Sequence, residues 1–402
     1  MSQPLDQATV MPPAGRGRLP CPVCGSREER AVVTVRDVPV MCGVLWDTRA
    51  EAQAAASGDI ELVACPSCSM LRNAAYDDDR MEYDGSYDNS LHFSPTFQRY
   101  ADDLGRRLVE RYDLRGSTIV EVGSGKGDFL RLLCRLGGNR GWGYDKAYSG
   151  EQQGADEDVT FVPEFFSGAA PSVPDLVCTR HVLEHLPEPA VVLRNIRRSS
   201  SEATVLYAEV PDVAYVLTTA GLWDLIYPHV GYFTATALRH LVELCGFAPL
   251  EVSRSFGGQY LWTEARASVG DVRAPDPPEN EVAEVLELAD GFAQMHRDTV
   301  DRWAERLDQA HRAGQRIALW GAGTKGVSFL NVVPGGAGVA DVVDINPRKR
   351  GRFVPGTGQA VIGPDDIGSA APDLVLIMNP NYRDEIQSAL AAAGLDTTVA
   401  VV

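Results

Sequence analysis

The run from Ile119 to Phe129, Ile-Val-Glu-Val-Gly-Ser-Gly-Lys-Gly-Asp-Phe, restricts the fold more than any other part of the chain. An apolar stretch from Thr118 to Val122, with Glu121 near its end, enters a turn containing Gly123, Gly125 and Gly127. Behind the turn, the segment Phe129 to Leu136 spaces its apolar residues as a helix does. Strand, glycine turn and helix in this order open a nucleotide-binding α/β unit. Glycine lacks a Cβ and reaches positive φ, so the backbone can lie directly against a ligand. A turn that merely packs a strand on a helix is the rival reading. Asp145 weighs against it: 22 residues after Gly123, it closes the next strand-like segment, where such folds hold ribose hydroxyls.

The strand pattern continues with Val159–Val162, after which Glu164 and Phe165 are placed to face an adenine. A fourth strand, Asp175 to Thr179, runs into Arg180-His181-Val-Leu-Glu184-His185-Leu-Pro-Glu-Pro189. His181 and His185 stand four apart, as metal-binding pairs do on a helix. Pro187 and Pro189 cut that helix short and no third ligand is near in sequence, so the reading is a segment lining and capping a cofactor pocket. A fifth strand, Ala203 to Asp212, carries Glu209. Ligands of open α/β sheets bind outside the C-terminal strand ends. The aromatic loop 221–233 should therefore overhang the site and present His229, an imidazole suited to general-base work. A buried structural histidine is the competing interpretation.

Of eight cysteines, four form two Cys-Pro-x-Cys pairs, Cys21/Cys24 and Cys65/Cys68. Two such knuckles make a closed tetrahedral thiolate site for structural Zn2+, with no open position for catalysis. Cys42 reads as a packing residue. Residues 76–100 are dense in Tyr, Asn, Ser and His and read as a substrate-facing lid, or else as a packing seam. Beyond the Pro-rich boundary 268–280 lie a long helix, about 281–313, and a second glycine turn, Gly321-x-Gly323-x-x-Gly326, with Asp344 after the next strand. That turn fits a dinucleotide fingerprint, and a helix N-terminus receiving a phosphate of the substrate is the preferred reading over bound NAD.

At 402 residues there is room for two or three domains. A formal charge of −18 argues against nucleic acid as partner, since phosphates demand a basic face. No apolar run approaches the ~20 residues that span a bilayer. The N-terminus lacks the pattern of a signal peptide. These features give the expectation of a cytoplasmic protein that meets neither membrane nor nucleic acid.

The glycine motif Glu121-x-Gly123-x-Gly125-x-Gly127 resembles motif I of class I S-adenosylmethionine (SAM) methyltransferases. Together with His181-Val-Leu-Glu-His185 and the paired cysteine knuckles, the whole order resembles the three-part sugar C-methyltransferases of deoxysugar biosynthesis. The resemblance implies an α/β fold with a small N-terminal zinc-binding domain (1–80), a central class I methyltransferase Rossmann-like sheet (81–270) and a C-terminal Rossmann-like substrate-binding domain (271–402). It implies SAM at Glu121, Gly123, Gly125, Gly127, Asp145, Glu164, Phe165 and His181. It further implies His229 as general base, Tyr87 and Glu209 orienting the acceptor, a small-molecule, nucleotide-linked keto-sugar substrate, and a monomer or homodimer. The chain departs from the family at Pro228, where Glu is usual before the histidine, at Asn89, and at Gln259-Tyr260. O- or N-methylation on the same scaffold is the alternative.

Overall fold

The computed structural model describes residues 19–81, 90–150, 158–219, 221–268 and 274–402. Near the N-terminus, β1 (Arg30–Pro39), β2 (Ser57–Ala64) and β3 (Leu71–Asn73) form an antiparallel sheet. The short α1 (Arg49–Gln53) between them starts with a capping box in which Thr48 and Glu51 satisfy each other's backbone.

The central sheet draws on β4 (Thr118–Val122), β5 (Arg140–Tyr144), β6 (Val159–Val162), β7 (Leu176–Arg180) and β8 (Val205–Pro211), all parallel. The next strand, β9 (Gly231–Tyr232), does not join it but pairs with β3 of the N-terminal sheet. An antiparallel hairpin, β10 (Phe247–Ser255) and β11 (Tyr260–Ala267), completes the order β10-β11-β8-β7-β4-β5-β6. Every residue of β4 and β7 is buried, the state expected of parallel strands covered on both faces. The switch point falls between β4 and β7, because β5 and β6 extend to one side and β8 to the other. Ligand crevices in such sheets open there.

Helix α2 (Pro95–Arg111), capped by Ser94, packs against α3 (Asp128–Gly137), which leaves the glycine turn directly. After α4 (Pro189–Ser199), α5 (Val213–Thr219) and α6 (Ala235–Leu244) comes α7 (Glu279–Arg312), 34 residues long. One face of α7, including Val282, Val285, Ala289, Phe292, Trp303 and Leu307, is buried at helical spacing. The final sheet is fully parallel: β12 (Ile317–Trp320), β13 (Asp341–Val343), β14 (Val361–Ile362), β15 (Leu374–Ile377) and β16 (Thr398–Val401), in the order β14-β13-β12-β15-β16. Helix α8 (Thr324–Val332) follows its own glycine turn. Mixed α/β architecture with Rossmann-like sheets is thus what the strand-and-glycine pattern led one to expect.

One apolar core runs from the N-terminal sheet (Val32, Ile60, Leu71) through Trp223 and Tyr227 to α7, α8 and the last sheet (Phe292, Trp303, Phe329, Val342). The N-terminal sheet is too small to bury a core of its own and shares this one. Trp223 and Trp303 meet Phe329 edge-on at 4.8 and 5.7 Å, contacts worth about 0.5–1.5 kcal/mol each beyond their buried area. Among the described residues no helix is long and apolar enough to cross a membrane.

Candidate active site

The glycine turn after β4 is built on left-handed backbone: φ is +74° at Gly123, +53° at Gly125 and +84° at Gly127. A Cβ at Gly123 would lie 2.1 Å from Val182 Cγ2, and one at Gly127 would lie 2.1 Å from Phe161 Cζ. At Gly125 a Cβ would meet nothing within 4 Å, so this glycine borders open space. Its N–H donates to Asp145 Oδ2 at 2.8 Å, which places the carboxylate at the end of β5 against the turn. Two buried polar atoms on the same floor, Glu121 Oε2 and Ser124 Oγ, have no hydrogen-bond partner among the described residues. A cradle with orphaned polar groups suits the charged methionine end of SAM. Glu164 and Phe165 lie exposed just past β6, with Lys146 Nζ 5.2 Å from the Phe165 ring centre, while the next residue, Phe166, is buried against Tyr144.

These contacts separate two glycine substitutions. Gly127→Ala combines a left-handed backbone with a clash and should destabilise by about 2–4 kcal/mol, whereas Gly125→Ala should cost only about 1 kcal/mol. Denaturant melts measure the difference, and calorimetry should find SAM binding weakened in both.

Burial lifts the Glu121 pKa to about 8, with Arg180 opposing and Asp128 and Asp145 adding to the rise. In the folded apoprotein this carboxyl therefore keeps a proton that the unfolded chain loses near pH 4.5. Its contribution to stability declines between those two values as pH rises. A cationic ligand favours the ionised form. SAM binding at pH 7 should accordingly release a fraction of a proton approaching one, and Glu121→Gln should abolish the release. Calorimetry in buffers of different ionisation enthalpy reads this directly; zero release in the parent would refute it.

Across the switch point, β7 delivers Arg180 and His181. Arg180 Nε and Nη2 reach Glu209 Oε1 at 3.0 and 2.9 Å, and the guanidinium stacks 4.2 Å from the Phe129 ring centre. Glu209 is fully buried and also accepts from Tyr100 and, at 2.7 Å, from Tyr207. Burial alone would raise its pKa, but Arg180 and then His181 hold it well below the usual carboxylate range. Glu209 is therefore a fixed anion that anchors Tyr100, Arg180 and His181. The expectation that it orients an acceptor has to work through those neighbours, since no face of it is open.

His181 adopts φ +55°, with Nε2 3.2 Å from Glu209 Oε1 and Nδ1 3.6 Å from Glu184 Oε1. Burial disfavours its charge, and Glu184 and Glu209 outweigh that, lifting its pKa to about 9. It is an imidazolium at neutral pH.

His229 lies on the loop between Trp223 and β9, 8% exposed, with its ring centre 4.9 Å from that of His185. Its ring nitrogens take no hydrogen bond from any described residue. Burial, helped by the charges of His185, His181 and Lys325, holds its pKa well below 6.5, so it is a neutral imidazole. In the fold His181 is not part of the cluster that His185 joins. His229, Glu184 and His185 bring donor atoms within 4.8 Å of one another, while His181 turns away to Glu209. Sequence reasoning assigned no role to Glu184, whose signal was an acid between two histidines in a segment too short for a helix. Tyr87 lies outside the described residues.

The N-terminal sheet supports the His229 loop. Leu71 pairs with Tyr232, Asn73 N–H donates to Val230 O at 3.0 Å, and Ser69 Oγ meets Thr234 Oγ1 at 2.8 Å. Immediately before β3 the four cysteines converge, with Cys21–Cys68 and Cys24–Cys65 Sγ separations of 3.6 and 3.5 Å. Four thiols within 4.8 Å of one another match the donor set of a tetrahedral metal. Cys42 is buried in the shared apolar core instead.

The second glycine turn leads into α8, whose first turn reaches residues of the central part of the chain. Lys325, in the first turn of α8, pairs with Asp224 and donates to Gln259 Oε1 at 3.3 Å. Gln259 also exchanges two hydrogen bonds of 2.9 Å with Asn379, so it joins the two halves of the chain and is not free to address a substrate. Asp344 accepts from Ala322 N–H at 2.9 Å, Asn346 N–H at 2.8 Å and Lys349 Nζ at 3.0 Å.

Residues 94–252 match the profile of a methyltransferase domain, and residues 268–401 match that of a C-methyltransferase C-terminal domain. Over 395 residues the chain is 26% identical to C-methyltransferase NovU of Streptomyces niveus, covering 91% of this chain and 90% of that protein. Similar solved structures include magnesium protoporphyrin IX methyltransferase of Synechocystis, at 18% identity and TM-score 0.35 over 43% of this chain and 84% of that one. Another is 1,6-didemethyltoxoflavin-N1-methyltransferase of Burkholderia thailandensis, at 19% identity and TM-score 0.35 over 42% and 79%. The fold, the glycine cradle and the two matching domains define a SAM-dependent methyltransferase. Within that class, the C-terminal domain match and the likeness to NovU support a divergent C-methyltransferase.

Proposed function

We propose that this enzyme methylates a carbon next to the keto group of a small, nucleotide-linked sugar in bacterial specialised metabolism, with His229 as the general base. The observation that carries the reading is His229 itself: a buried neutral imidazole without a hydrogen-bonding partner among the described residues, its ring 4.9 Å from His185 in the segment that follows β7. A keto group acidifies the neighbouring C–H, and a neutral imidazole can take that proton. SAM bound at Glu121, Gly123, Gly125, Gly127 and Asp145 supplies an electrophilic methyl on a sulfonium. The chain's task is then to hold the acceptor carbon in line and move one proton to His229. His181, Glu209 and Tyr100 form a connected polar cluster at the ends of β7 and β8.

Nucleotide linkage is supported by the N-terminus of α8, where backbone N–H groups and Lys325 offer a setting for a phosphate. C-methylation over O- or N-methylation is supported by the likeness to NovU along nearly the whole chain. The four cysteines are proposed to hold structural Zn2+, and all eight are free thiols, in keeping with a reducing, cytoplasmic setting.

The test is product analysis. The enzyme is incubated with carbon-13-methyl SAM and a panel of nucleoside-diphosphate keto-hexoses, and the product is read by NMR. The expected result is a labelled methyl bonded to carbon. A label on oxygen or nitrogen would overturn C-methylation; transfer to a free keto acid but to no panel member would overturn the sugar.

A further inference from the structure

A general base becomes an imidazolium when it takes a proton, yet the surroundings of His229 oppose that charge. The rings of His185 and Tyr232 pack on it at 4.9 and 5.6 Å, and the positive charges of His181 and of Lys325, the latter paired with Asp224, act on it as well. The residue directly before it, Pro228, offers only a carbonyl, which His185 Nδ1 engages at 3.0 Å.

Glu184 stands where the missing charge is needed. Its residue exposure is 1%, and neither carboxylate oxygen has a hydrogen-bond partner among the described residues. A carboxylate oxygen of Glu184 and one ring nitrogen each of His185 and His229 lie within 4.8 Å of one another. Its other charged neighbour is His181 Nδ1, at 3.6 Å. With the His181 imidazolium on one side and no hydrogen bond to either oxygen, this buried carboxylate also favours positive charge on its His185–His229 side.

We propose that Glu184 is the positioning residue for the His185–His229 pair, supplying from the β7 side the negative charge that Pro228 cannot. This rests on the reading of His229 as base. When the acceptor C–H bond breaks, the proton goes to a His229 nitrogen and the electron pair to the acceptor's carbonyl as an enolate. That pair then forms the new carbon–carbon bond. The crevice loses the positive charge of the sulfonium and gains that of the imidazolium, which Glu184 faces until the proton passes to solvent.

The test uses full-length protein labelled with nitrogen-15 histidine, with His229→Asn to assign the His229 resonances. Proton binding is followed by NMR in the parent, Glu184→Gln and Glu184→Asp, and SAM affinity is measured alongside. In Glu184→Gln the His229 midpoint should fall by at least one pH unit, about a tenfold loss of proton affinity. Glu184→Asp should recover at least half of that shift, and SAM affinity should stay within twofold in both. Equal midpoints in the parent and Glu184→Gln would overturn the proposal, and so would a stoichiometric metal ion bound by Glu184, His185 and His229. The readout is proton binding and not turnover. It therefore stands apart from the His229 role, which would fail if His229→Asn kept full turnover.

Discussion

Replacing His229 with Asn is expected to lower methyl transfer by about a thousandfold, within the range that positioned acid–base groups supply. SAM affinity should stay within twofold. The separation follows from the architecture: the cofactor cradle stands on β4 and β5, while His229 stands on the loop ahead of β9. Asn preserves polarity and approximate size but accepts no proton at neutral pH. Rates with labelled SAM, set against calorimetric SAM binding, measure the two effects. Unchanged turnover with SAM still bound would remove His229 from the mechanism.

Loss of the four-cysteine site should have the second large effect, and it should reach the chemistry through structure. Metal binding to such sites contributes about 10–16 kcal/mol in small zinc peptides, so chelation or Cys68→Ser should lower the melting temperature strongly. The knuckle carrying Cys65 and Cys68 leads directly into β3, and β3 carries β9, two residues past His229. Ser69, the residue after Cys68, also holds Thr234, the N-cap of α6. Metal loss should therefore release the His229 loop and abolish turnover at temperatures where the central sheet still binds SAM. Metal content by mass spectrometry, with turnover and SAM binding on the same sample, tests this. A metal-free sample with full turnover would contradict it.

Much of the central sheet was legible from the chain. Buried parallel strands such as β4 and β7 are nearly continuous apolar runs, and the glycines at 123, 125 and 127 mark a backbone that only glycine adopts easily. The paired cysteines were equally clear, because their spacing is local. The second glycine turn was visible as a turn. That Asp344 accepts from Lys349 and two backbone N–H groups could not be read from its position.

By itself, the sequence determined the class of fold, the glycine turn and the thiol cluster, and it singled out His229 as the candidate base. These are properties of single segments, set by period, glycine placement and short spacing. Only the tertiary structure decided what surrounds that imidazole. It brought Glu184 and His185 to His229, sent His181 to Glu209, and hung the His229 loop on a strand from the far end of the chain. The physical reason is that burial and charge at a point are sums over every element that meets there. Glu184 is a case in point: as a letter it is a common polar residue, and in the fold it is a buried carboxylate with histidines on two sides.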